Sequence, residues 1–407
     1  MNPKIIQFPK TDLCSSLSAI GEENNKYVAA VTAIENTMVT LSQMSMPPKT
    51  DFANEPKTYD QIAECYKKIQ NLAVEFTTKI YSELEHYPNA CITSLERIDA
   101  SLKKAQEKVD FIMSNPKLSE DDLSYEVNLL TRYMDAIAEE ADGQIADLNI
   151  LIGNLEKFKE KSVQTIEVTM KTILDDIKIE TEEYQAAEKA LGEAKKALEK
   201  EVNEQIAMLV GSVIGTIAAI IGAAFLVAVS IATAGGALVI SLTVAGALVA
   251  VGATLFAIGF DAYKLDSALK ELKHTTAKLE SYAADILLFS QWHDNVVQCA
   301  EQLDGIREKL ATVQDSWTKV KNGFATISAK VKKAKGNLSS REWEELKSVF
   351  DACQETSEKT KAMLESMKLE NNRFSDAKLY GGMTKAQVEE ALKNGNLLTF
   401  KECMLAI

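Results

Sequence analysis

Between Gln205 and Phe260 the chain carries no Asp, Glu, Lys, Arg or His. This run lies near the middle of a 407-residue chain that is 26% charged overall. A segment of that length cannot stay exposed to water. It must be covered by protein or placed in lipid, because contiguous exposed apolar patches on soluble proteins rarely exceed a few hundred Å². Gly235-Gly236 divides it into two halves, Ile206–Ala234 and Ala237–Phe260. A membrane-spanning helix needs about 20 mostly apolar residues, so each half is long enough to cross a bilayer.

The remaining composition narrows the setting. The net charge is −14, which argues against nucleic acid, where a basic face is expected. It also provides no long-range attraction to anionic lipid. Any membrane contact must therefore come from the apolar segment. The mean hydropathy of −0.09 is that of a water-soluble protein, so the sequence predicts an apolar island hidden while the chain is in water. The N-terminus, MNPKIIQFPKTDLCSSL, has no apolar run followed by a small-residue cleavage site. The expectation is secretion without a classical signal peptide, or an already processed form. The six cysteines are scattered and include no C-x-x-C. Reduced, partly buried thiols are expected, with one or two structural disulfides as the alternative.

Proline placement sets helix length. All seven prolines lie at or before Pro116, and Pro costs about 3 kcal/mol inside a helix. Helices are predicted over 11–45, 58–86 (broken by Pro88) and 89–114. A long rod follows over 118–204, with apolar residues such as Leu148, Leu151, Leu155, Phe158, Ile166, Met170 and Ile173 at spacings of three and four. Gly143, Gly153 and Gly192 are its expected bends. A second rod over 261–335 carries Leu303, Ile306, Leu310, Val313, Trp317, Val320, Phe324 and Ile327 at the same period. Gly336-Asn337 should end it, with Ser339 as the next N-cap. Helices at 340–370 and 384–393 complete the prediction.

The fold class is therefore all-α. The expectation is an elongated bundle of long antiparallel helices, built from 1–205 and 261–407, with 206–260 as a hydrophobic hairpin head. No stretch sustains period-two alternation. The one ambiguous place is the island, because LVISLTVA at 238–245 is β-branched enough to form a strand, so a head that is partly β in the soluble state is an open alternative to two helices.

Catalytic and ligand constellations are absent from the sequence. There are three histidines, and no H-E-x-x-H, G-x-S-x-G, Walker loop or G-x-G-x-x-G. No catalytic residue, cofactor or metal is assigned, and the chain is not expected to be an enzyme. Trp292, Trp317 and Trp343 are expected to pack in the bundle. Lys330, Lys332, Lys333 and Lys335 are read as cations placed at a helix C-terminus.

The chemistry lies in the island. Gly211, Gly215 and Gly222 give the first half a face of small residues, and Gly246 does the same in the second. Such faces let helices approach closely in lipid. Phe225, Leu226, Leu238, Ile240, Leu242, Leu255 and Phe256 supply the bulk of the membrane-inserting surface. Gly235 and Gly236 form an uncharged tip, which spares the roughly 3 kcal/mol that each ion would cost in the bilayer. Glu204 and Asp261 mark the hairpin base and would remain on the side from which it enters.

A long helix into a charge-free hairpin and a long helix out of it, spread over nearly the whole chain, resembles the α-helical pore-forming toxins of the cytolysin A type. The closer likeness is to multi-component members: haemolysin BL, non-haemolytic enterotoxin components, and two- or three-part cytotoxins of Gram-negative bacteria. The resemblance implies a soluble monomer with a five-helix-like tail bundle. That monomer would insert 206–260 into a target-cell membrane and oligomerise, with homologous components as partners. Residues 1–45 are not apolar enough to act as an inserting N-terminal helix, so insertion would fall to the hairpin. Two other architectures fit less of the pattern. A constitutive hairpin-anchored coiled-coil protein would ordinarily carry a charged loop. A colicin or apolipoprotein-L-like channel would need a receptor or translocation domain that this chain does not supply.

Overall fold

The computed structural model describes residues 7–43, 59–177, 181–190, 192–193, 274–275, 281–366, 369 and 399–405, together with the strands named below. The helices are α1 (Lys10–Gln43), α2 (Tyr59–Glu75), α3 (Tyr81–Ser114), α4 (Glu120–Phe158), α5 (Gln164–Asp176), α6 (Ser281–Ala334), α7 (Ser340–Ser366) and α8 (Phe400–Leu405). The chain divides into two compact units. The first is 1–27, 84–153 and 307–368, and the second is 28–83, 154–306 and 369–407.

The first unit is a five-helix bundle. Its pairings can be read from side-chain contacts. Lys108–Glu126 at 2.9 Å, Arg97–Glu140 at 3.2 Å and Cys91–Gln144 at 3.6 Å set α3 antiparallel to α4. Lys332–Asp135 at 2.6 Å, Lys321–Asp142 at 2.5 Å and Gln314–Asn149 at 2.7 Å set α4 antiparallel to α6. Lys330 donates to the Gln7 carbonyl at 2.6 Å, and a Cβ on Gly323 would collide with Leu13, so α1 lies tightly against α6. Helix α7 runs antiparallel to α3 through Lys347–Asp110 and Gln106–Asp351, with Lys361 on Asp99. Between these polar seams the apolar stripes are fully buried, among them Leu17, Leu95, Leu102, Leu130, Ile137, Trp317, Phe324 and Phe350. The lysine run near the end of α6 does more than complement a helix terminus, since Lys330 and Lys332 join α6 to its neighbours.

Local signals mark the ends. Ser339 accepts from the Glu342 N–H at 3.4 Å while Glu342 accepts from the Ser339 N–H at 2.8 Å, a capping box at the start of α7. Thr399 and Glu402 repeat it at α8. Lys335 and Gly336 take positive φ of 50° and 77° and stop α6, close to the predicted end.

Three expectations need correction. Pro88 does not break a helix; it lies inside α3. Proline lacks the N–H that would bond the Leu84 carbonyl, and the Tyr27 hydroxyl supplies that bond instead, at 2.7 Å. Tyr27 is wholly buried, and its ring meets Tyr87 edge-on at 5.6 Å. Second, α4 runs through Gly143 and Gly153 without a break. The departures are a π-helical turn at Lys159–Val163 and the end of α5 at Asp176. Third, the ordinary helix before α3 gives way to another π-helical turn at Phe76–Ile80, which the spacing does not reveal. The predicted helix at 384–393 lies outside the described residues.

The second unit packs α2 against α5; beside them the Ser162 hydroxyl, in the π-helical turn, donates to Glu75 on α2 at 3.0 Å, and Asn154 on α4 donates to Glu83 on α3 at 3.0 Å. Phe76 meets Phe158 at 5.9 Å, and Tyr66 meets Trp292 at 5.4 Å. Residues 182–190 form a further helical stretch, where Thr181 accepts from the Tyr184 N–H at 3.2 Å.

The Tyr27–Leu84 bond gives a direct test. Tyr27→Phe leaves the buried Leu84 carbonyl without a donor and should lower stability by about 1–3 kcal/mol in denaturant titration. In a Pro88→Ala background the helix regains its own donor, so the same substitution should cost markedly less. Equal costs in both backgrounds would contradict the assignment.

Candidate membrane-insertion hairpin

Among the described residues the charge-free segment contributes four strands. These are β1 (Ile220–Ile221), β2 (Phe225–Ile231), β3 (Leu238–Val244) and β4 (Ala247–Leu248). Strands β2 and β3 pair antiparallel, from Phe225 opposite Val244 to Ile231 opposite Leu238. Further back, Ile220 pairs with Leu248 and Ile221 with Ala247. The register shows that the segment folds on itself, with Gly235-Gly236 in the connection between β2 and β3. Three residues separate β1 from β2 and two separate β3 from β4, so the two arms are unequal by one.

Cross-strand partners share a face of a sheet, and alternate residues take opposite faces. One face of the hairpin therefore holds Phe225 with Val244, Val227 with Leu242, Val229 with Ile240 and Ile231 with Leu238. Every member is apolar. The other face holds Leu226 with Thr243, Ala228 with Ser241 and Ser230 with Val239, so the only polar groups its pairs bring are single hydroxyls. No pair carries a charge on either face.

Residues distant in sequence complete these sheets. Strand β6 (Lys378–Tyr380) pairs antiparallel with β3, placing Ser241, Leu242 and Thr243 opposite Tyr380, Leu379 and Lys378. Strand β5 (Phe374–Ser375) pairs with β4 at Ala247 and with β7 (Leu397–Leu398). The sheets are thus β1-β4-β5-β7 and β2-β3-β6. An open strand edge presents unpaired N–H and C=O groups and templates aggregation. The 374–398 strands occupy one edge of each ladder and bring Lys378 to it. Helix α8 follows at once and is firmly held. Phe400 is buried, 4.5 Å from the Tyr81 ring and 6.2 Å from Phe76. Lys401 lies over Tyr81 at 5.7 Å, and Ser42 contacts Met404 at 3.7 Å. The C-terminal strands therefore connect the hairpin to the helical wall of the same unit.

Of the residues assigned to insertion, Phe225 and Leu226 lie on β2, and Leu238, Ile240 and Leu242 on β3. Gly211, Gly215, Gly222, Gly235, Gly236, Gly246, Leu255, Phe256 and the base residues Glu204 and Asp261 lie outside the described residues. The partly β alternative at 238–245 is present as β3. Strands β1, β2 and β4 and the three C-terminal strands are additional. Among the described residues no helix is long and apolar enough to cross a membrane, and no group of three or more His, Cys, Asp and Glu could hold a metal ion.

No protein-family model matches the sequence, and no curated protein matches it. Solved structures do match. Soluble SmhA of the tripartite α-pore-forming toxin Smh from Serratia marcescens aligns with a TM-score of 0.60 at 12% identity, over 90% of this chain and 95% of that one. The HblL1 toxin component of Bacillus cereus aligns at 0.61 and 12%, over 86% and 95%. The cytotoxin MakB from Vibrio cholerae gives 0.57 and 12%, over 86% and 92%. The chain has the fold of the α-pore-forming toxin components. That fold is all-α in its bundle, and the described strands lie in two small sheets.

The register can be checked in solution. Cysteines at Val229 and Ile240, which face each other, should cross-link on mild oxidation of the soluble protein. Cysteines at Ala228 and Ile240 take opposite faces and should not. Equal cross-linking of both pairs would exclude this ladder.

Proposed function

We propose that the protein is a pore-forming cytotoxin, or a component of a multi-component toxin, which inserts its 206–260 hairpin into a target-cell membrane and oligomerises there. One observation carries the reading. The charge-free hairpin is held in strand ladders by residues 374–398, in a chain with the fold of toxin components. SmhA and AhlB belong to tripartite α-pore-forming toxins, which supports homologous components as partners. Secretion and a host-membrane destination follow from the same reading.

The two states differ in how the backbone is satisfied. In lipid every N–H and C=O must be paired within the inserted structure. The ladders to β5 and β6 would be left behind, and each half of the segment would pair its backbone internally as a helix of about 20 residues or more. Transfer is driven by apolar area rather than by charge, as suits a chain of net charge −14. The tip crosses first and carries no ion. Glu204 and Asp261 limit how far the hairpin can enter.

The decisive variant charges the tip. Wild-type protein incubated with phosphatidylcholine–cholesterol vesicles should float with them after an alkaline carbonate wash and release trapped dye, alone or with partner components. Gly235→Asp with Gly236→Asp adds about 6 kcal/mol to crossing, at about 3 kcal/mol per ion. It should abolish wash-resistant binding and leave solubility unchanged. Equal retention of both proteins, or no retention of the wild type, would overturn the proposal.

A further inference from the structure

Helices α1 and α7 run parallel and in contact. The Phe8 N–H donates to Glu345 at 3.2 Å, Lys10 to Ser348 at 2.8 Å, and Thr360 to the Leu17 carbonyl at 3.0 Å. These pairs advance together along both helices, and Cys14 and Cys353 fall between them in the same register. The helices are close here. A Cβ on Gly21, two turns further on, would lie 3.1 Å from both Met363 and Thr360. The two thiols face the same α1–α7 contact and influence each other electrostatically. Cys353 is fully buried, whereas Cys14 is half-buried and reachable from solvent. The other buried cysteines among the described residues are placed differently: Cys91 sits between Asn24 and Gln144, and Cys65 and Cys299 are enclosed in the second unit.

We propose that Cys14 and Cys353 are a redox-active thiol pair that closes to a disulfide, tying α1 to α7, with low-molecular-weight disulfides as the oxidant. The geometry asks little of the backbone. Two helices packed this closely in this register bring both thiols to one contact, where side-chain rotation and a small helix shift reach the roughly 2.05 Å of an S–S bond.

The surroundings divide the work between the two sulfurs. Hydrogen bonds from Cys353 and then Thr356, with Lys10 nearby, outweigh burial and Glu355 and lower the Cys14 pKa to about 6. Cys14 is therefore largely thiolate at neutral pH, the nucleophilic form. Its negative sulfur, together with burial, holds the Cys353 proton firmly in place. In the first step Cys14 thiolate attacks the small disulfide R–S–S–R, forming Cys14–S–S–R and releasing RS⁻. That removes the charge that kept Cys353 protonated. Cys353 then loses its proton to water and attacks the Cys14 sulfur, releasing the second RS⁻. Two protein thiols are oxidised to one disulfide, and R–S–S–R is reduced to two RSH once protons are taken up. The bond closes a loop from α1 to α7 and restricts the unfolded chain, which favours the folded bundle. Extracellular surroundings, where disulfides persist, would keep it closed.

The test uses the full chain at neutral pH, treated with oxidised glutathione or with dithiothreitol. Oxidation should yield a peptide linking Cys14 to Cys353, an intact mass lower by two hydrogens, and a higher thermal midpoint that dithiothreitol reverses. Cys353→Ser should stop at a glutathione adduct on Cys14, and Cys14→Ser should form neither adduct nor link. A wild-type chain whose two thiols stay free, or that keeps glutathione on Cys14 with no linked peptide, would overturn the proposal.

Discussion

A polypeptide segment without a charge from Gln205 to Phe260 has two demands that water cannot meet together. Its side chains gain by leaving water, at about 25 cal/mol per Å² of apolar area, while its backbone must keep every N–H and C=O paired. Strand pairing meets the second demand. Strands β2 and β3 satisfy one another, and residues 374–380 and 397–398 satisfy an edge of each sheet. The arrangement ties the most apolar stretch of the chain to its C-terminal residues. Those residues are tied in turn to the helical wall through Phe400.

The helical bundle depends on a second kind of pairing. Its seams are ion pairs and hydrogen bonds between long helices at matching heights, with large apolar residues filling the space between them. Exposed ion pairs contribute little individually, about 0–1 kcal/mol each, so burial of the stripes provides most of the stability and the pairs fix register. The Tyr27 hydroxyl on the Leu84 carbonyl is of another kind, because it answers a specific deficit created by Pro88. A proline in a long helix is tolerated where a neighbouring helix replaces the missing donor.

The sequence is legible where a single signal dominates. Helical period, proline placement, the Ser339 cap and the Gly336 stop identify α1 and α7 nearly to their ends, with the start of α4 and the end of α6, because those helices bury a single stripe over many turns. The pairing of distant residues is less visible. FSDAKLY at 374–380 is too short to show alternation, and its strands exist because β3 and β4 offer open edges. The stretch FLVAVSI at 225–231 reads equally as buried helix or buried strand, since nearly every residue is apolar. The π-helical turns and the fate of Pro88 depend on neighbouring helices and have no local signature. Within the candidate site, the register of Phe225, Leu226, Leu238, Ile240 and Leu242 comes from the structure. Their choice as membrane-facing residues rests on the absence of charge.

The central claim is that the hairpin leaves its strand ladders and enters lipid. The most direct measurement attaches an environment-sensitive fluorophore to a cysteine replacing Ile240 and follows quenching after vesicles are added. The account predicts loss of quenching by aqueous iodide and strong quenching by lipids labelled deep in their acyl chains, developing together with dye release. A probe that stays accessible to iodide and untouched by the deep lipid quencher while the vesicles leak would contradict it.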